Sequence, residues 1–129
     1  QRELQDNMDA SAQVFRTDES LAKVTEIIHG LRERYRNIAI QDKGKRFNTD
    51  LLEAIELGFL LDLAEVVVYS ARNRKESRGG HMRDDFPNRD DENWLKHSMA
   101  YRDMNKPGCV NVGYKNVVLG RFEPKPRVY

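Results

Sequence analysis

The sequence predicts a mainly α protein: an antiparallel three-helix bundle followed by a loop, a short β-hairpin and an extended C-terminal tail. Three observations carry this prediction. Apolar residues recur at helical spacing through residues 1–80, turn formers and charge crowd residues 81–93, and two short runs rich in Val, Tyr and Trp flank Met104-Asn105-Lys106-Pro107-Gly108. The division is therefore a bundle over 1–80 and the loop, hairpin and tail over 81–129, both parts of one domain. A chain of 129 residues can bury a core but is short for an enzyme that must also enclose a large cofactor.

The first helix is expected over 2–15, where Leu4, Met8, Ala12 and Phe15 form a narrow apolar stripe. Thr17 or Asp18 can cap a second helix over 18–36, in which Leu21, Val24, Ile28, Leu31 and Tyr35 alternate steps of three and four, the spacing of a bundle seam. Gly30 inside it suggests close approach of another backbone, since glycine there costs about 1 kcal/mol relative to alanine. A polar link over 36–46 leads to the stretch 47–80, around which the chain is organised. Asn48 is its expected N-cap, and Phe47 can fold over Leu52 as a hydrophobic staple.

Leu51, Leu52, Ile55, Phe59, Leu60, Leu63, Val66, Val67 and Ala71 cover more than half of this third helix, expected over 48–77. Such a helix needs neighbours on two sides and should be central and mostly buried. Acids come early and bases late, complementing the helix dipole, and Gly79-Gly80 is placed to end the helix with left-handed backbone. Residues 94–101 and 110–119 read as the hairpin strands. The proline-rich end, Pro124-Lys125-Pro126-Arg127-Val128-Tyr129, reads as extended backbone.

Composition excludes several functions. A net charge of +1 gives no field of one sign to recruit nucleic acid or anionic lipid. Charged residues make up 33% and mean hydropathy is −0.78, the character of a solvated surface. The longest apolar run, Val66-Val67-Val68-Tyr69, is too short to span a bilayer, and no charged-then-apolar leader is read at the start. Cys109 alone can form neither an internal disulfide nor a multi-cysteine metal site, and it suits a reducing compartment. A chain that starts at Gln1 inside a helical pattern looks like part of something longer.

The residues offer no self-sufficient active site. Glu53, Glu56, Asp62 and Glu65 share helical spacing, but a di-iron bundle also needs Glu-x-x-His motifs, so dipole complements and interhelical ion pairs are the better reading. The acidic stretch 84–92 lacks the alternating ligands and sixth-position glycine of a calcium loop and reads as a solvated turn. His29, His81, His97 and Cys109 are scattered, and no phosphate-binding glycine loop occurs. Catalytic, cofactor-binding and metal residues are accordingly assigned to none.

One string is informative: Lys75-Glu76-Ser77-Arg78-Gly79-Gly80-His81, continuing through Arg83-Asp84-Asp85-Phe86-Pro87 and Arg89-Asp90-Asp91-Glu92-Asn93-Trp94-Leu95-Lys96-His97. It resembles the C-terminal domain of the succinate dehydrogenase and fumarate reductase flavoprotein subunits, closest to succinate dehydrogenase. The resemblance extends to Val14-Phe15-Arg16-Thr17, Glu33-Arg34-Tyr35, Phe47-Asn48-Thr49-Asp50-Leu51 and the terminal Pro-x-Arg-x-Tyr. Gly80, where relatives usually carry alanine, is a minor departure. L-aspartate oxidases share the Glu-Ser-Arg-Gly turn and remain an alternative, as does a free-standing helical interaction module.

The resemblance implies a parent enzyme of the tricarboxylic acid cycle and electron transport that oxidises succinate to fumarate on FAD, the cofactor belonging to upstream domains and none to this stretch. It implies an iron-sulfur subunit as partner and, through it, membrane anchor subunits, with the complex peripheral to the membrane on its cytoplasmic or matrix side. The domain would then be structural, and Arg78, Gly79 and His81, at the turn beyond the long helix, are the candidate interdomain docking residues. Arg78 can alternatively cap the last helix carbonyls while His81 packs locally.

Overall fold

The computed structural model describes residues 1–103 and 110–125. Its elements in chain order are α1 (Arg2–Ala12), β1 (Phe15–Arg16), α2 (Asp18–Tyr35), α3 (Thr49–Asn73), β2 (Met82–Arg83), α4 (Asp91–Trp94), β3 (Lys96–Arg102) and β4 (Val110–Asn116). The mainly α bundle with a short hairpin is as expected. The expected turn at 104–108, Cys109 and the end of the expected tail at 126–129 lie outside the described residues.

Helix α2 starts where its sequence says it should. The Thr17 side chain accepts from the Ser20 amide while the Ser20 hydroxyl accepts from the Thr17 amide, a reciprocal capping box. Its seam residues Leu21, Val24 and Ile28 are fully buried and meet Leu61, Ala64, Val68 and Ala71 of α3 on one side and Leu4 and Ala12 of α1 on the other. The middle layer is thus α2, packed on both other helices. This corrects the expectation that the third helix is central, and the physical reason lies in α3's width: it is apolar on two sides, but only one side meets the other helices.

Helix α1 stops at Ala12, short of the expected residue 15, because Phe15 and Arg16 are drawn into a parallel pairing with Met82 and Arg83. The Asp84 amide donates to the Arg16 carbonyl at 2.9 Å, extending that pairing. Asn48 caps α3 by accepting from the Leu51 amide at 2.8 Å. The staple does not form: Phe47 is 97% exposed and takes a positive φ of 49°, which turns it away from Leu52. The close approach expected at Gly30 is absent, with nothing near an added Cβ. It occurs instead at Gly58, where a Cβ would come within 2.6 Å of the Tyr35 hydroxyl. That hydroxyl donates to the Ala54 carbonyl at 2.9 Å, so the missing side chain lets Tyr35 lie against α3.

Interhelical ion pairing accounts for the acids in the second half of α3. Arg32 of α2 donates to Asp62 at 2.8 Å and to the buried Glu65 at 2.6 Å. Helix α3 ends at Asn73, earlier than expected, since Arg74 leaves helical geometry at φ −81° and ψ 108°. Gly79 is left-handed at φ 60°, but it serves a tight turn in which the Arg78 and His81 backbones exchange hydrogen bonds. The hairpin pairs Lys96 with Asn116 through to Arg102 with Val110, antiparallel, and it packs on α3.

Candidate functional site

Residues 74–91 build a charged clamp over one end of the bundle, and its centre is Arg83. This side chain is 1% exposed. Its Nη1 donates to the carbonyls of Ala71 and Arg72 at 3.1 and 3.0 Å, two of the acceptors that the end of α3 leaves open. Its Nε and Nη2 form a bidentate pair with Asp85 at 2.7 and 2.6 Å. Asp85 in turn accepts from the Asp18 amide at 3.0 Å in the first turn of α2. One ion pair therefore joins the C-terminal end of α3 to the N-terminal end of α2, each partner matching the dipole it faces. The hydrogen bonds from Arg83 hold the Asp85 carboxyl down at about 2. Arg72 and Asp18 repeat the link at the surface.

A second network secures the turn. Glu76 is fully buried and accepts from Arg74, from Arg78 through Nε and Nη2, and from the Asp90 amide at 3.0 Å. Burial pushes its carboxyl up, but the hydrogen bonds from Arg78, the Asp90 amide and Arg74 outweigh it and hold the group below its usual range. Arg78 also donates to Asp91 at 2.6 Å, and Asp91 is gripped from its other side by Arg89. Arg74 reaches the Trp94 and Lys96 carbonyls and the Ser98 hydroxyl, and its guanidinium lies over the Trp94 ring. Through Arg74 the helix end and the hairpin become one unit.

The three candidate docking residues sit in this clamp. Arg78 does not cap the last carbonyls of α3; Arg83 does that, and Arg78 spans Glu76 and Asp91 instead. His81 packs locally. Its Nδ1 lies 2.8 Å from Arg16 Nη1, and a guanidinium can only donate, so Nδ1 accepts and the ring proton sits on Nε2, facing the Arg74 carbonyl at 3.3 Å. Burial, then the charges of Arg16, Arg83 and Arg74, push the imidazole below its usual value, against the bond to the Arg74 carbonyl. Gly79 and Gly80 are exposed, with nothing near an added Cβ at either.

Beside the turn an open groove of about 530 Å³ runs between α3 and β3; Arg16, Arg74, Arg78 and Lys96 line it, and no carboxylate does. Among the described residues no group of three or more His, Cys, Asp or Glu side chains is placed to hold a metal ion. The stretch 84–92, expected as a solvated turn, is exposed over most of its length yet is pinned by Asp85 and Asp91. Sequence reasoning passed over Glu76, Arg83, Asp85 and Asp91. The available signal was the doubling of Arg-Asp-Asp at 83–85 and 89–91, where alternating sign within three residues favours closed ion pairs.

Fold and clamp together define a helical domain that ends in a self-bonded arginine-carboxylate turn and a hairpin. The family model for the fumarate reductase flavoprotein C-terminus matches residues 1–129, and the chain belongs to that family. It is 40% identical over 127 residues to the fumarate reductase flavoprotein subunit of Mycobacterium tuberculosis, covering 98% of this chain and 21% of that protein. It is 47% identical over 116 residues to the succinate dehydrogenase flavoprotein subunit of Rickettsia conorii, covering 90% and 19%. A solved structure of quinol fumarate reductase from E. coli superimposes with a TM-score of 0.92 at 40% identity, covering 98% of this chain and 22% of that one. The chain thus spans about a fifth of the length of its relatives. No helix among the described residues is long and apolar enough to cross a membrane.

Proposed function

We propose that this chain is the C-terminal domain of a flavoprotein subunit that oxidises succinate to fumarate, with FAD held by the upstream domains. In this reading electrons leave through an iron-sulfur subunit towards membrane quinone, and the complex sits peripherally on the cytoplasmic or matrix face of its membrane. The domain is structural, with bundle (1–80) and hairpin region (81–129) acting as one brace, and the exposed turn around Arg78, Gly79 and His81 offers a docking contact to the upstream domains.

The observation that carries the non-catalytic role is the occupation of the family string. Arg74, Glu76, Arg78, His81, Arg83, Asp85 and Asp91 all bond to one another or to the domain's own backbone. These residues do not fit an FAD site either: a pyrophosphate wants a glycine loop at the N-terminus of a helix, and Gly79-Gly80 lie beyond the C-terminal end of α3. No chemical step is routed through this chain.

The test uses the full-length parent subunit. Bound flavin with succinate-dependent dye reduction is the expected result, and the ratio of succinate oxidation to fumarate reduction sets the direction. A parent without flavin or with neither activity overturns the assignment. Calorimetry on the 129-residue chain should find no micromolar binding of FAD or succinate; such binding would end the support role.

A further inference from the structure

Helix α3 is two-faced. At 3.6 residues per turn, Leu61, Ala64 and Val68 fall on the side that meets α2, while Leu52, Ile55, Phe59, Leu63 and Val67 fall on the opposite side. That second side stays open: Leu52 is 55% exposed, and Phe59 and Leu63 are each 62% exposed. These residues form an apolar ridge along the outer side of the helix, interrupted only by Glu56. A lone exposed leucine is ordinary, but a stripe of aliphatic and aromatic side chains marks an interface.

We infer that this outer face of α3 is the permanent seat of the upstream part of the same polypeptide, and that it carries the docking of the domain more than the Arg78 turn does. This inference rests on the reading of the chain as the end of a longer flavoprotein. The occupant follows from two facts. The family model describes a C-terminus, and the chain covers only 21% of the Mycobacterium tuberculosis relative and 22% of the E. coli structure, so about four-fifths of such a polypeptide lies on the N-terminal side and must meet this domain. The ridge also has the character of a permanently closed contact. Glu56 is the one carboxylate among its apolar members, whereas surfaces that associate reversibly are typically more polar and rimmed with charge. The occupying surface should be correspondingly apolar. Where the ridge reaches Val67 it opens into the carboxylate-free groove lined by Arg16, Arg78 and Lys96, so the same upstream surface should bring a carboxylate to that end.

The test measures thiol labelling at single positions in the full-length parent subunit, purified without other subunits and read peptide by peptide in a mass spectrometer. Phe59→Cys and Leu63→Cys should react with a maleimide about 100-fold more slowly than Lys23→Cys, on the exposed side of α2, and unfolding should abolish the difference. If Phe59→Cys fails to accumulate, Leu52→Cys reads the same face with a smaller change. Labelling as fast as at Lys23→Cys overturns the inference. Protection that appears only when the iron-sulfur subunit is added assigns the face to that partner and overturns it as well, and protection that fades on dilution assigns it to a second copy, with the same consequence. Flavin absorbance on the same preparation separates the two ideas: a flavin-free parent with a protected ridge loses the flavoprotein reading and keeps the docking face.

Discussion

The clamp and the outer face of α3 lie within a few turns of each other and are built on opposite logic. At the centre of the clamp the charges meet partners from the same domain: Arg83 with Asp85, Glu76 with Arg74 and Arg78, Asp91 with Arg78 and Arg89. On the outer face the apolar side chains stay 43–62% exposed, Phe59 and Leu63 most of all. The central pairs of the clamp are therefore closed within this domain, while the ridge lacks a covering surface. A recognisable motif, on this evidence, marks what a domain needs to hold itself together, while the surface it offers to others is written in plain hydrophobic residues.

The contrast is broken most severely at Arg83. Arg83→Met keeps the volume but leaves two end carbonyls of α3 without their buried donor and Asp85 without its partner; at about 1–3 kcal/mol for each buried acceptor left unpaired, the loss should be about 3–5 kcal/mol. Urea unfolding of the chain measures it, and a loss below about 1 kcal/mol would mean that water replaces the guanidinium without penalty. Leu61→Ala comes next, since it is 1% exposed at the α2 contact and should cost about 2–5 kcal/mol. Phe59→Ala reverses the usual ranking of size: in this chain it should cost less than about 1 kcal/mol, because its ring is already in water. In the full-length subunit the same change should cost as much as a core truncation, and equal small costs in both settings would count against a covered ridge.

Arg78→Lys is smaller than either core change. It exchanges a bidentate grip on Glu76 for a single donor and should lower the stability of the chain by about 1 kcal/mol, the size of a hydrogen bond. A pure docking role for Arg78 predicts no change in the chain and a loss confined to the parent subunit.

How far the sequence could be read divides along the same line. The seam of α2, the cap at Thr17, the hairpin and the two-sided apolarity of α3 were all legible because each depends on neighbours in sequence. Periodicity cannot say which of two apolar sides a domain covers, so α3 was expected to be central when α2 is. The end of α3 was misjudged for a related reason. Gly79-Gly80 looks like a stop, but the helix stops at Asn73 because Arg74 is pulled to the hairpin and Arg83 returns to cap the carbonyls, both contacts made across 9 to 24 positions. The glycine that matters for packing, Gly58, differs from Gly30 only in where Tyr35 happens to reach. In the candidate site, Arg78 and His81 were legible as residues of a turn; their partners Glu76 and Arg16 were not, since the latter comes from 65 positions away.

The smallest expected effect is a pH dependence at His81, and its sign follows from the geometry. The neutral ring accepts from Arg16 through Nδ1; protonation there would set a second donor against the guanidinium, next to Arg83 and Arg74 as well. Burial first, and then these cations, hold this imidazole in the folded chain below its ordinary value near 6.5, and the unfolded chain binds the proton first. Stability from this group is complete above about pH 6.5 and is lost as pH falls from there through the depressed folded value. The carboxylates act later: Asp85, held at about 2, contributes above its unfolded value of 3.8 and is lost only as pH falls below that. The two windows are separable in urea unfolding followed from pH 7.5 to pH 3. His81→Gln, which can accept from Arg16 through its amide oxygen, should flatten the slope that begins below about pH 6.5 while leaving the acid limb below pH 4 in place. An unchanged slope in the upper window would show that Arg16 moves away from the imidazolium at no cost, and that the backbone pairing of Phe15 and Arg16 with Met82 and Arg83 carries the tie between the first helix and the turn.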